Sequence, residues 1–143
     1  MKTSLTVITA VAAALAFTVA MALADALPSS YPLPTYASAS GPTNVQHVID
    51  WAGDNSLQYD VSDDMKDVVD WYRTRLKAQG FAVMVDMESK DANGITRGMV
   101  QWSRCENHHY SSVGVGSVAS AGNPNTPDKP GAEITLQASK GGC

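Results

Sequence analysis

Apolar and polar residues alternate with a period of two from Val45 to Trp51: Val45, His47, Ile49 and Trp51 on one side, Gln46, Val48 and Asp50 on the other. After the turn-forming Gly53-Asp54-Asn55 the alternation resumes, with Leu57, Tyr59 and Val61 set against Gln58 and Asp60. Such a pattern predicts a hairpin with one packed and one wet face. It places His47 on the packed face, as a structural rather than a catalytic group. Ser62-Asp63-Asp64 then opens a helix, with Ser62 as cap and the aspartates at the positive end of the macrodipole. Met65, Val68, Val69, Tyr72 and Leu76 recur at helical spacing, with Trp71 at the margin of the stripe. Arg73, Arg75 and Lys77 suit the last turns, and Gly80 supplies the stop, giving a helix of about 17 residues that ends before Phe81.

Beyond Gly80 the period returns to two. Phe81, Val83, Val85 and Met87 share one predicted face, and Ala82, Met84, Asp86 and Glu88 the other. Ser89 to Gly94 is a turn, with Asn93-Gly94 its sharpest signal. A partner strand follows from Ile95 to about Arg104, then one from Tyr110 to Ala119 with Val113 and Val115 inward. Ser120 to Gly131, with Pro124, Pro127 and Pro130, predicts an exposed loop. A final strand points Ala132, Ile134, Leu136 and Ala138 inward. The expected fold is α+β: an antiparallel sheet of about five to six strands, order ββαββββ, with one long helix across one face and the other face polar and open.

Val68-x-x-Trp71-Tyr72-x-x-x-Leu76-x-x-x-Gly80-Phe81 resembles a V-x-x-[FW]-Y-x-x-x-L-x-x-x-G-[FW] pattern of small exported bacterial domains. The resemblance implies a helix that follows a hairpin and leads into antiparallel strands across residues 35 to 143. It implies no catalytic residue.

The first 24 residues carry the strongest signal about location. Lys2 precedes an uncharged, Ala-rich run from Leu5 to Leu23, and Ala22-Leu23-Ala24 offers small residues before Asp25, the layout of a secretory signal peptide. A retained anchor is the alternative, but it would need roughly 20 strongly apolar residues, and this run is rich in Ala and Thr. With no Cys near the junction, lipid attachment is not indicated. Residues 25 to 34 hold three prolines and two serines without periodicity, so a flexible or extended lead-in is expected there, and a single domain over 35 to 143. The mature protein is expected to be extracytoplasmic, periplasmic or secreted, without a membrane span.

The formal charge is −4, and loss of Lys2 leaves nine basic against fourteen acidic residues. Such a balance argues against nucleic acid and against anionic membrane faces. Export places Cys105 and Cys143 where disulfides persist, so the two are expected to pair as a structural staple.

Reactive side chains are densest in Cys105-Glu106-Asn107-His108-His109-Tyr110. A metal site there would need Cys105 as a free thiolate, so it competes with the disulfide, and adjacent histidines in a strand point to opposite faces. The acidic run Asp60, Asp63, Asp64, Asp67 and Asp70 lacks a calcium-loop pattern. No nucleophile elbow, P-loop, Rossmann glycine set or zinc-protease motif occurs, and no cofactor is expected. Among the tryptophans, Trp102 sits opposite Ile95 and Met99 and is expected to be the exposed one, a candidate ligand contact with His108 and His109. The sequence therefore points to a non-enzymatic binding or envelope-associated protein whose partner is another protein or a small ligand. Its rivals are a small extracytoplasmic hydrolase using His108 or His109 with Glu106, and a metal-binding protein built on the Cys105 to His109 segment.

Overall fold

A computed structural model describes residues 26–118 and 129–143. The signal segment and most of the expected 120–131 loop lie outside the described residues. Six strands, β1 (Thr43–Ile49), β2 (Asn55–Val61), β3 (Ala82–Lys90), β4 (Thr96–Glu106), β5 (His109–Ser117) and β6 (Ala132–Gly142), form one antiparallel sheet in the order β1-β2-β6-β5-β4-β3. A single helix among the described residues, α1 (Met65–Ala78), connects β2 to the far edge at β3 and packs over β4 and β5. The element order is as expected, but the helix has 14 residues rather than about 17, and the fold is mostly β.

Local chemistry accounts for the shorter helix. Asp64, not Ser62, is the cap: its Oδ1 accepts from the Lys66 backbone N–H at 2.8 Å, and its Oδ2 accepts from Thr96 N–H at 3.4 Å. One carboxylate thus starts α1 and ties it to the head of β4, while the Ser62 hydroxyl is engaged by Ser40. At the other end Gly80 adopts a φ of +79°, Phe81 N–H bonds Leu76 C=O and Gly80 N–H bonds Lys77 C=O, a Schellman stop. The predicted stripe of Met65, Val68, Val69, Tyr72 and Leu76 is fully buried.

Central strands follow their predicted parity. Leu57, Tyr59 and Val61 of β2, Val113 and Val115 of β5, and Ala132, Ile134 and Leu136 of β6 are all buried. One inner row runs across the register His47–Leu57–Leu136–Val113–Trp102–Val83. Trp102 is 2% exposed, so it is a core residue and not a surface ligand contact. In β4 the inward residues are Thr96, Val100 and Trp102, while Met99 faces out, and a parity error of one residue inverts a whole strand.

Both edge strands depart from expectation. Trp51 is 99% exposed, Ile49 62%, and His47 is exposed, because α1 lies over β4 and β5 and leaves β1 with little cover. In β3 a bulge between Val83 and Val85 shifts the phase. Val83 then pairs on the inner side with Trp102, whereas Val85 and Met87 face outward opposite Gln101 and Met99. Val83, Met84 and Met87 are more than half exposed.

The expected flexible lead-in is instead anchored. Leu33 is 4% exposed within the core, and Leu27, Tyr31 and Tyr36 pack against it. Tyr31 Oη donates to the carbonyls of Asn55 at 2.6 Å and Leu136 at 3.2 Å, and Tyr72 Oη donates to Pro34 C=O at 2.9 Å while accepting from Tyr36 N–H at 3.2 Å. This segment packs beside β2 and β6 on the inner face and leaves β1 largely exposed. The signal for it was the spacing of Leu33 and the tyrosines among the prolines.

Burial pushes the Tyr31 phenol up to about 12, and burial with the Asp63 hydrogen bond pushes Tyr36 up to about 12. The folded pKa values lie above the ordinary 10.0, so the stability held by the neutral phenols is complete below 10.0 and is lost as pH rises toward about 12. Urea midpoints should therefore fall across that interval, and the Tyr31→Phe, Tyr36→Phe double variant should show a shallower fall.

Candidate functional site

The outward face of the sheet has no covering layer among the described residues. One row of its register reads Gln46–Gln58–Thr135–Gly114–Gln101–Val85, the next Val48–Ser56–Gln137–Ser112–Ser103–Ala82, and the third Thr43–Asp60–Glu133–Gly116–Met99–Met87. Amides and hydroxyls dominate the middle, and β5 contributes Tyr110, Ser112, Gly114 and Gly116 to this side, so its glycine half is bare. A shallow trough therefore runs along β5, walled by Met99, Gln101 and Ser103 of β4 and Glu133, Thr135 and Gln137 of β6.

The two glycines are not imposed by packing. At Gly98 an added Cβ would stand 1.8 Å from Met87 O, so the β3–β4 approach forbids any side chain. At Gly114 the nearest atoms would be Thr135 Cβ and O at 3.9 Å, and at Gly116 only Gly98 O at 3.8 Å, both ordinary contacts. Neither has a positive φ or sits at a bulge. Glycine weakens a strand, and where no bend or clash demands it, it often marks the approach of a ligand or another backbone.

The Cys105–His109 segment forms the β4–β5 turn. Asn107 and His108 have φ of +52° and +63°, the conformation of a two-residue type I′ hairpin, and Glu106 pairs with His109 across it. Cys105 is bonded to Cys143 with Cα atoms 6.1 Å apart, so no thiolate is present. Among the described residues no group of three or more His, Cys, Asp and Glu could hold a metal. His108 and His109 are exposed on a projecting turn, and the Glu106 carboxylate leans toward Arg104 at 3.4 Å. His47 lies at the opposite edge, its Nε2 2.8 Å from Asn55 Oδ1 and its ring edge-on to Tyr31. The structure therefore does not bring the candidate histidines together with Trp102.

A cleft of about 320 Å³ opens between α1 and the β3–β4 hairpin, lined by Lys66, Asp70, Arg73, Glu88, Lys90 and their neighbours. Its charges answer one another: Lys66 pairs with Asp70, and Arg73 with Asp70 at 3.5 Å, Asp86 at 3.3 Å and Glu88 at 3.0 Å. The Glu88 hydrogen bond holds the Arg73 guanidinium above its ordinary pKa. This cluster fastens the helix to the edge strand. Sequence reasoning missed it because Asp86 and Glu88 become inward-facing only after the Met84 bulge. No protein-family model matches the chain, and no curated protein or solved structure matches it.

Proposed function

We propose that the protein is a non-catalytic binding domain of the extracytoplasmic space, and that its uncovered sheet face is the binding surface. The observation that carries this reading is the Gly114/Gly116 trough, free of side chains although the packing would accept them, between Gln101 and Thr135 at Gly114 and between Met99 and Glu133 at Gly116. An extended polar chain of the cell envelope, laid along β5, suits such a trough: it can approach the backbone closely and exchange hydrogen bonds with Gln101, Thr135 and Gln137. The Cys105–Cys143 disulfide and the lack, among the described residues, of a helix long and apolar enough to cross a membrane are compatible with that location.

The Gly114→Val, Gly116→Val variant fills the trough. β-branched side chains suit strands on a scale spanning about 1 kcal/mol, so the variant should fold at least as stably as the natural chain. Retention on immobilised envelope glycans and peptides should at the same time be lost. Equal retention by both proteins would end this reading.

A further inference from the structure

The least explained residue on the surface is Trp51, 99% exposed at the tip of the β1–β2 hairpin. It is not on a loose loop. Asp50 Oδ1 accepts from Ala52 N–H and Asp54 N–H at 2.9 Å each, Gly53 N–H bonds Asp50 C=O at 3.0 Å, and Asp50 N–H bonds Asp54 C=O at 3.0 Å. Gly53 makes the corner with a φ of +81°. Asp54 Oδ1 also accepts from Lys140 N–H at 3.1 Å, which ties the turn to β6. A large aromatic held in water by a rigid turn gives up its own burial and is pre-organised for contact with something else.

Three features identify what it meets. First, the chain enters the molecule at this end. The N-terminal segment runs beside β2 from Tyr31, bonded to Asn55 at the foot of the strand, to Tyr36, bonded to Asp63 beyond its head. The described chain thus begins at the end of the sheet that carries the β1–β2 turn. Second, the charge is polarised. Asp60, Asp63, Asp64, Asp67, Asp91 and Glu133 at the far end outnumber Lys66, Lys90, Arg97 and Lys129 by two, whereas around the Trp51 end Asp50, Asp54, Glu106 and the terminal carboxylate are matched by Arg75, Lys77, Arg104 and Lys140. The acidic excess of the described residues thus lies away from this surface. Third, the side chain of Lys140 lies against the turn, about 3.1 Å from where a Gly53 Cβ would be, with Val48 and Ile49 exposed beside it. An indole beside a long cationic side chain is the pairing favoured at a bilayer interface, where the ring sits among headgroups and the ammonium reaches phosphate.

We propose that the β1–β2 turn is a membrane-surface contact: Trp51, flanked by Val48 and Ile49, enters the headgroup layer of a phospholipid bilayer, and Lys140 pairs with lipid phosphate. The sheet then stands on its end, and its uncovered face stays clear of the bilayer. This contact is independent of the binding proposed for that face.

The full chain reconstituted in phosphatidylethanolamine–phosphatidylglycerol vesicles tests the contact. Lipids brominated near the interface should quench its tryptophan emission, and Trp51→Ser should abolish that component while near-ultraviolet circular dichroism stays unchanged. Lys140→Gln should reduce the quenching. Quenching that persists in Trp51→Ser, or an indole that aqueous iodide reaches as readily in vesicles as in detergent, would overturn the proposal. So would a detergent-solubilised dimer that Trp51→Ser dissociates, because the tip would then bind a second copy.

Discussion

Trp102→Ala is expected to destabilise the fold by about 3–5 kcal/mol, the cost of removing a fully enclosed aromatic from a core that collapses only partly around the void. The indole lies 6.4 Å centroid to centroid from Tyr72 on α1 and pairs through the strands with Val113 and Val83. Its loss would loosen the helix from the middle of the sheet. Because small domains hold only about 5–15 kcal/mol in total, the variant should lose a large share of its stability. Trp51→Ala serves as the control. With almost no contact to lose, it should stay within about 0.5 kcal/mol of the natural chain. Urea unfolding of the two variants checks both, and similar losses would mean that the assignment of inner and outer residues along β4 is wrong.

The contrast between these tryptophans shows where the sequence was legible. Alternation in β2 and β6, and the 3.6-residue stripe of α1, could be read because those elements have neighbours on both sides or a full layer beneath them, so every apolar position has something to face. β1 and β3 carry equally good alternation, yet they are edges. A period of two states which residues share a side, not whether that side is covered. Trp51 looked inward on pattern alone and is exposed, while Val83 and Met87, read as sharing a face, are separated by the β3 bulge. β4 was misread for a different reason: Met99 and Trp102 are both apolar and three apart, so composition offered either parity, and only the cross-strand partner Val113 decides. The proline-bearing stretch before Thr35 suggested flexibility, but Leu33 and two tyrosine hydroxyls tie it down through long-range bonds to β2, β6 and α1 that no local pattern encodes. The trough along β5 is of the same kind. Its Ser and Gly content read as a weak strand, and its meaning emerged only when Gly98 proved necessary to packing and Gly114 and Gly116 did not.

Removal of the disulfide, by the Cys105→Ser, Cys143→Ser pair, should cost about 4 kcal/mol on the chain-entropy account for a separation of 38 residues. The bond joins the end of β4 to the last residue of the chain, and β5 lies between them, paired with β4 through Cys105↔Tyr110 and with β6 through His109↔Gly142. It therefore clasps three adjacent strands at one end of the sheet. Without it, the end of β6 beyond Ala138 keeps its pairing to β5 at Gly142 and the Lys140 N–H bond to Asp54, but its exposed last residues have little side-chain burial to keep them in place. Amide exchange should accelerate at the Ser139–Gly142 end before the Ala132–Leu136 end, whose side chains are in the core. The same end carries the Trp51 turn through the Asp54–Lys140 bond, so fraying of β6 should also loosen the indole and weaken its quenching by brominated lipid. If stability instead fell by less than about 1 kcal/mol, far below the loop-entropy value, backbone pairing alone would suffice to hold the C-terminus and the clasp would have no role in presenting Trp51.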